Sequence, residues 1–309
     1  MSKNTLAVWN VKESQFPTNG SLKQKIKFLV RYGILAPSTH NSQPWKFLID
    51  DNSLEILPDF ERSLGELDPD NRELYISLGA AAKNVEIAAD YFGMIFKKDG
   101  LKFSFENGKK ESGKNKLFKG ITLRRTDRGD FLPKQIDKNI FEKMEGVMVV
   151  DQKEMKQKLA QAVYESDIVW FKSKKLLAEL EYWLHKGGTA NLLEEIKKMS
   201  EDEITKSLRN KKMVEEAPLL AVIYSKDEVE NDWVKSGERF EEISLKLAIN
   251  RISTGFFNSI IELETQRKKL IKLLGIKGQP QLLLRIGVAV KSGEQAPRRS
   301  VKEVIISSR

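Results

Sequence analysis

The sequence predicts a globular protein of mixed helices and strands, and three observations support this fold class. The chain has 309 residues, enough for one large domain or two smaller ones. Hydrophobic residues make up 40% of it, which supplies a core and argues against a disordered chain. Segments with apolar residues at helical spacing alternate with short apolar runs bounded by turn residues, as expected for helices interleaved with strands.

The first predicted elements lie between residues 22 and 57. Residues 22–35 carry apolar side chains at helical spacing, and Pro37 should end this helix because it disfavours the α conformation in the residue before it. A polar turn follows. Residues 46–49 and 54–57 then predict two strands joined by an Asp-Asp-Asn turn.

A long helix and a hairpin are predicted next. Residues 77–91 place small apolar side chains on one stripe and include Gly79, so a neighbouring element is expected to approach the backbone closely. The Asp-Gly pair at residues 99–100 predicts a hairpin turn into a strand at residues 101–105. Residues 107–116 are rich in glycine and lysine and are the strongest candidate for a loop or linker.

The second part of the chain shows a similar alternation. Strands are predicted at residues 146–150, 217–224 and 280–290, and helices at residues 153–170, 176–186 and 240–252. Both parts contain a turn, a strand, a long helix with small residues and a further strand. Their sequence identity is slight, so this order only suggests a two-fold repeat.

The composition argues against several kinds of site. The chain has no cysteine, which excludes disulfides, iron–sulfur clusters, cysteine-ligated zinc and a thiol nucleophile. With His40 and His185 as the only histidines, a multi-histidine metal site is implausible, and we expect no metal. No apolar run approaches the ~18 residues of a membrane span. The polar residues 1–13 lack the hydrophobic region of a signal peptide, so we expect a soluble, cytoplasmic protein.

The charge balance raises the hypothesis of a nucleic-acid partner. The chain carries 53 Lys and Arg against 44 Asp and Glu, a net charge of +9. The two signs are interleaved, as at residues 197–203 and 239–242, whereas duplex binding usually concentrates basic residues on one face. Mixed signs favour an ordinary solvated surface, so we expect no nucleic-acid partner. The basic excess could still serve one small anion.

The run Arg124-Arg125-Thr126-Asp127-Arg128 is the first candidate binding element. Guanidinium groups donate in pairs to phosphate oxygens, and a threonine hydroxyl adds another donor. In an extended segment, Arg124, Thr126 and Arg128 would lie on one face and Arg125 on the other. The alternative interpretation is a charged surface turn held by Asp127.

Arg298 and Arg299 form a second cationic candidate near the C-terminus. Two adjacent guanidinium groups there would add to a phosphate site if the fold brought them to it. The alternative interpretation is a solvated tail.

The turn at residues 36–45, with the sequence APSTHNSQPW, is the third candidate element. Its small hydroxyl and amide side chains lie between two prolines and offer several hydrogen bonds to the edge of a heteroaromatic ring. His40 could act there as a general acid. A lone histidine in a polar loop is more often a hydrogen-bond partner, and no nucleophile or paired carboxylate is adjacent. Trp45 is expected in the core.

Several familiar catalytic motifs are absent from the sequence. It contains no G-x-G-x-x-G fingerprint, no G-x-x-x-x-G-K-[ST] loop and no G-x-S-x-G elbow. The protein therefore offers no candidate for covalent catalysis by a side chain. If the chain is an enzyme, a cofactor should carry the chemistry.

The loop and the arginine run together resemble the FMN-dependent nitroreductase superfamily. Residues 36–47, APSTHNSQPWKF, closely resemble the family motif A-P-S-x-x-N-x-Q-P-W-x-F. Residues 124–131, RRTDRGDF, resemble the family's phosphate-binding element R-R-S-x-R-x-F. Further similarity lies in the helix at residues 79–93, the final helix and strand at residues 233–261 and 280–287, and the basic segment at residues 297–299.

The resemblance implies an α+β fold. The expected architecture is a nitroreductase-like three-layer sandwich with a mainly antiparallel sheet flanked by helices, duplicated as two halves at residues 1–115 and 116–309. The arginine element follows the loop here, whereas it precedes it in ordinary members, whose flavins lie at a dimer interface. This order is similar to that of the Acg-like subgroup, in which two halves are fused. One composite flavin site is therefore implied, in a monomer that mimics a dimer or in a homodimer.

The resemblance also implies FMN as the cofactor and assigns its binding residues. The phosphate is assigned to Arg124, Thr126 and Arg128, helped by Arg298 or Arg299, and Arg125 is included among the cofactor-binding residues. The flavin ring is assigned to Pro37, Ser38, Thr39 and Asn41, with Gln43 within reach.

Two functions are consistent with the resemblance. The first is an oxidoreductase of nitroreductase type, which takes hydride from NAD(P)H and reduces a nitroaromatic or quinone. The second is an FMN-binding or sequestering flavoprotein with little or no turnover. The second gains weight if an insertion at about residues 171–212 forms a lid. The candidate lid is residues 176–191 with Trp183 and His185, and the alternative is a pair of core helices.

Overall fold

The computed structural model describes residues 6–108, 110–187 and 201–307. The helices are α1 (Leu22–Gly33), α2 (Arg72–Tyr91), α3 (Phe118–Leu123), α4 (Lys153–Lys172), α5 (Lys174–Gly187), α6 (Glu203–Glu215), α7 (Glu230–Ile249), α8 (Ser259–Glu262), α9 (Glu264–Leu274) and α10 (Val301–Val304). The strands are β1 (Trp45–Ile49), β2 (Ser53–Pro58), β3 (Ile95–Asp99), β4 (Lys102–Glu106), β5 (Phe131–Leu132), β6 (Val147–Val150), β7 (Leu219–Ser225), β8 (Ser253–Phe256), β9 (Gln279–Ala289) and β10 (Ile305–Ser307).

The first sheet is formed mostly by the early part of the chain. Its strand order is β10-β1-β2-β4-β3, in which the pairs β1–β2, β2–β4 and β4–β3 are antiparallel. The C-terminal strand β10 closes the edge in parallel with β1, with Phe47 opposite Ile305. Helices α1 and α2 pack against this sheet and bury Trp45, Phe47 and Phe103 in a continuous core. The end of the chain therefore returns to the sheet that carries the polar loop.

The second sheet is antiparallel and has helices on both faces. Its strand order is β5-β9-β7-β6, and β8 pairs with β9. The apolar side chains of α7 cover one face of β7 and β9. Those of α4, α6, α8 and α9 cover the other face. Because successive strand residues point to opposite faces, the unbroken apolar runs of β7 and β9 fit a sheet buried on both sides.

Helices α2 and α7 join the two sheets through the middle of the molecule. They pack against each other along their lengths. Gly79 of α2 and Gly237 of α7 lie at their contact, where each backbone touches the other helix. The close approach expected at Gly79 is confirmed. The α+β class and the mainly antiparallel sheets are also confirmed.

The long helices begin earlier than the sequence predicts. Helix α2 begins at Arg72 because the carboxylate of Asp68 accepts the backbone N–H groups of Glu73 and Leu74, at 3.0 Å each, and so caps its first turn. Helix α7 begins at Glu230 instead of residue 240, with acidic residues in a first turn where they favour helix formation.

The boundary proposed after residue 115 stays a prediction. The strands of the first sheet precede it and those of the second sheet follow it, except that β10 belongs to the first sheet. None of the helices in the described ranges is long and apolar enough to cross a membrane.

Candidate functional site

The polar loop after α1 has an unusual backbone. His40, Asn41 and Gln43 have positive φ angles of 51°, 54° and 53°. Residues with side chains rarely adopt this conformation, and such strain persists only where the surroundings enforce it. The Ser38 hydroxyl accepts the N–H of Gln43 at 2.9 Å and so helps to hold the turn. A strained polar loop next to the core is a typical location for a binding site.

The arginine element lies directly against the start of this loop. Arg124, which follows α3, donates its Nη2 to the carbonyl oxygen of Leu35 at 3.3 Å. Arg298 donates Nη2 to the same oxygen at 3.4 Å and Nη1 to Oδ1 of Asn41 at 2.9 Å. Asn41 in turn donates its Nδ2 to the carbonyl oxygen of Pro297 at 2.9 Å. Three segments far apart in the sequence therefore meet at the loop.

Trp9 lies between two of the arginines. The guanidinium carbon of Arg125 is 5.0 Å from the centre of the indole ring, and that of Arg298 is 5.1 Å from it. The indole N–H donates to the carbonyl oxygen of Ala296 at 2.9 Å. These cation–π contacts place the N-terminal segment over the cationic residues. The sequence patterns did not identify Trp9 as part of the site.

Glu241 of α7 is the carboxylate of this cluster. It is completely buried, and its Oε1 lies 3.4 Å from Nε of Arg124. Burial raises the pKa of Glu241 to about 7, although Arg124, Asn84 and Arg298 act to lower it. The mixed-charge segment at residues 239–242 was interpreted as solvated surface, which is wrong for Glu241.

The cluster fits a bound anion. Arg124 and Arg298 are 3% and 4% exposed, and Nη1 of Arg124 and Nε of Arg298 have no hydrogen-bond partner among the described residues. Arg124 and Arg298 both act on the carboxylate of Glu241, and Arg125 adds a third guanidinium group near Arg298. Burial and the field of Arg124 lower the pKa of Arg298 to about 9. A phosphate would supply acceptors for the free N–H groups and offset the excess positive charge.

The rest of the arginine element leads from the cluster to the second sheet. Thr126 pairs with Thr254, so the segment continues along the second sheet. Arg128 is exposed, and its charge acts on His40. Burial, and then Arg128, lower the pKa of His40 to about 4. The imidazole is therefore neutral near pH 7, which argues against His40 as a cationic general acid.

Gln43 and Arg299 have structural partners. Oε1 of Gln43 accepts the backbone N–H of Arg299 at 2.7 Å. Arg299 donates Nη1 to the carbonyl oxygen of Gln43 at 3.0 Å and to Oδ2 of Asp59 at 3.0 Å. These contacts fasten the C-terminal segment to the loop and leave Arg298, not Arg299, among the buried cations. Their assignment to the cofactor stays a prediction.

Helix α5 and a hydrogen bond of Thr39 border the polar loop. Thr39 donates its hydroxyl to Oε2 of Glu73 at 2.6 Å. Helix α5 packs against the turn at Thr39–Asn41. Trp183 of α5 is buried at 2% exposure, with the Arg62 guanidinium 5.3 Å from its ring centre. The candidate lid helix therefore contacts the loop, and its role as a lid stays a prediction. Residues 188–200 of the predicted insertion lie outside the described residues.

Pro37, Ser38 and Thr39 are all partly buried. The structure thus brings the loop, the arginine element and the C-terminal segment to one place, as the composite site required. It adds Trp9, Glu241 and Asn84 to that place. Their assignment to the two ends of a cofactor stays a prediction.

The sequence is similar to two proteins of Mycobacterium tuberculosis strain H37Rv over almost its whole length. "Putative NAD(P)H nitroreductase acg" is 23% identical over 314 residues, covering 90% of this chain and 94% of the relative. "Uncharacterized protein Rv3127" is 22% identical over 324 residues, covering 91% and 92%. No family model matches the chain.

A solved structure is also similar at a lower level. The FMN-dependent nitroreductase NfnB from Mycobacterium smegmatis, in complex with NADPH, is 16% identical with a TM-score of 0.43, covering 62% of this chain and 96% of NfnB. This similarity is too low to bear on the fold or the function. The similarity to the acg protein agrees with the motifs in the loop and the arginine element.

Proposed function

We propose that the protein is an FMN-dependent oxidoreductase of nitroreductase type. One observation carries this proposal: the polar loop at residues 37–43 and the buried Arg124 and Arg298 meet at the carbonyl oxygen of Leu35. A flavin mononucleotide has a flat polar ring at one end and a phosphate at the other. The site offers amide and hydroxyl groups beside unpaired guanidinium N–H groups, which match these two ends.

The residues of the site have distinct roles in this proposal. Arg124 and Arg298 hold the phosphate, Arg125 adds positive charge, and Trp9 keeps this end out of water. FMN, when bound, supplies hydride transfer between NAD(P)H and a planar acceptor such as a nitroaromatic or a quinone.

The loop has its own role at the ring. Pro37, Ser38, Thr39 and Asn41 border the ring, and the N–H and O–H groups of the last three stabilise negative charge at its edge. The name of the acg relative, an NAD(P)H nitroreductase, supports the same class of reaction for this chain. Its use of NAD(P)H, its cytoplasmic location and its state as monomer or homodimer stay predictions.

A second function is favoured by the position of α5. Because this helix packs on the turn at Thr39–Asn41, it would restrict access of NAD(P)H and acceptor to a ring held by the loop. The protein would then bind or sequester FMN with little or no turnover.

One experiment tests the proposal and separates the two functions. The full chain is purified and its visible spectrum recorded, then NADH or NADPH is added under anaerobic conditions. Flavin absorption that bleaches on addition supports the oxidoreductase. Flavin absorption that persists, with FMN released on denaturation, supports sequestration. A colourless protein that does not take up added FMN would overturn both.

A further inference from the structure

Glu241 places a carboxylate inside the proposed anion-binding site, where a negative charge is not expected. Its carboxylate lies within the same buried cluster as Arg124 and Arg298, 3.4 Å from Nε of Arg124. A negative charge there competes with a phosphate for the same guanidinium group. Arg124 already directs Nη2 to Leu35, Nε towards Glu241 and Nη1 to no partner among the described residues.

Two cations and one neutral amide act on Glu241. Arg124 after α3, Asn84 on α2 and Arg298 in the C-terminal segment face it. Two lysines that contact α7 pair with other carboxylates of that helix. Nζ of Lys83 lies 3.9 Å from Oε2 of Glu242, and Nζ of Lys98 lies 2.5 Å from Oε1 of Glu238. The sheet side of α7 is apolar. Glu241 is therefore charge-balanced by the same arginines that we assign to the phosphate.

We propose that Glu241 is the internal counter-ion of the phosphate-binding arginines, and that it takes up a proton when a phosphomonoester binds to Arg124 and Arg298. This inference rests on the proposed function, because it takes FMN as the ligand. It adds a residue that sets the affinity for the phosphate end and links cofactor loading to pH.

The direction of the effect follows from the electrostatics. Burial raises the pKa of Glu241 to about 7 without a ligand, so the acid and the carboxylate forms both occur near neutral pH. A phosphate dianion placed nearby repels the carboxylate and raises this pKa further. Binding then requires a proton, and the affinity for FMN falls as the pH rises above 7.

The test measures FMN affinity between pH 7 and 8 for the flavin-free full chain and for Glu241→Gln. Phosphomonoesters have a second pKa of about 6, so FMN is mostly dianionic in this range. For the wild-type chain we expect the dissociation constant to rise about fivefold over this unit of pH. Glutamine mimics the protonated acid, so the variant should show no such rise and bind about tenfold tighter than wild type at pH 8. Riboflavin, which lacks the phosphate, is the control ligand and should show little pH dependence.

Calorimetry of the wild-type chain provides a measurement that does not depend on the variant folding. FMN binding at pH 8 in buffers with different ionisation enthalpies should show uptake of about one proton, and riboflavin binding should show almost none. Two results overturn the inference while leaving the proposed function intact. One is FMN binding without proton uptake, and the other is a Glu241→Gln variant that binds FMN no more tightly than wild type at pH 8. Absence of FMN binding at every pH overturns the proposed function itself.

Discussion

At the centre of the molecule, Gly79 of α2 lies against helix α7, and Gly237 of α7 lies against helix α2. A Cβ atom on Gly79 would lie 2.0 Å from the carbonyl oxygen of Val234, and one on Gly237 would lie 1.9 Å from that of Ile76. Real Cβ atoms do not approach backbone atoms so closely, so both positions require glycine. The contact sets the distance between the two sheets, and Glu241 follows Gly237 by one helical turn.

Replacing Gly237 with alanine should therefore separate α2 from α7. Overpacking of a tight contact typically costs about 1–3 kcal/mol, and a clash with backbone belongs near the upper end of that range. We expect Gly237→Ala to lower the free energy of unfolding by about 3 kcal/mol in urea denaturation.

Gly65 provides the matched control for this substitution. A Cβ atom added to Gly65 would meet no described atom within 4 Å, so Gly65→Ala should leave the unfolding free energy nearly unchanged. Equal stability of the two variants would show that the helix crossing does not need glycine.

The phosphate end is tested by removing one cation. Arg298→Gln should raise the dissociation constant of FMN by about 10- to 100-fold, since a charge-assisted hydrogen bond contributes about 1.5–3 kcal/mol. The affinity for riboflavin should change much less. Arg209→Gln removes an arginine from α6, outside the cluster, and serves as the charge control. A similar loss for FMN and riboflavin would mean that Arg298 acts by holding Asn41 and not by binding phosphate.

Much of the fold could be predicted from the sequence because it depends on local patterns. The turn at residues 50–52, the strand at residues 219–225 and the small-residue stripe around Gly79 each leave a short-range signal. The polar loop and the arginine element could be identified for the same reason.

The partners of these elements could not be predicted, because they come from distant parts of the chain. Trp9 precedes Arg298 by 289 positions, and nothing in its local sequence indicates a cation–π contact. Glu241 lies in a mixed-charge segment that is typical of a surface. Its one available signal is its place on the same helix face as Gly237 and Ser244, which are both buried. A carboxylate on such a stripe indicates a buried partner.

Trp9 should stabilise the cationic cluster by covering it. Trp9→Ala removes the ring from Arg125 and Arg298, so we expect a loss of about 3 kcal/mol of unfolding free energy. It also removes one of the two N–H donors to the carbonyl oxygen of Ala296 and leaves Nη1 of Arg298 as the other, at 3.2 Å. Trp9→Phe keeps a ring but not the N–H group and should lose less. Thermal unfolding of the three proteins distinguishes them. A Trp9→Ala variant as stable as wild type would place the N-terminal segment elsewhere in solution.

His40 should remain neutral well below its usual titration range. Burial and Arg128 lower its pKa to about 4, so the unfolded chain binds the proton more readily than the folded chain. Folding stability contributed at this site is therefore present at neutral pH and is lost as the pH falls from about 6.5 towards 4. NMR titration of the imidazole signals, assigned with His40→Gln, measures the pKa. Arg128→Gln should raise it, and an unchanged value would show that Arg128 does not act on the ring.

From the position of α5 we expect that weakening its packing increases the access of NAD(P)H to bound flavin. Trp183 is the buried anchor of this helix, packed with Leu64, Leu67 and Trp170. Trp183→Ala removes that packing, so α5 should dissociate more often from the turn at Thr39–Asn41. We expect faster bleaching of bound flavin by NAD(P)H and faster release of FMN, measured by stopped-flow absorbance and by dialysis.

Tyr182 is the neighbouring aromatic residue, 53% exposed, and Tyr182→Ala is the control that should change neither rate. Because a lid limits access only when it closes over the ring, unchanged rates in Trp183→Ala would show that α5 is a fixed part of the core. Low turnover would then have to come from the loop itself.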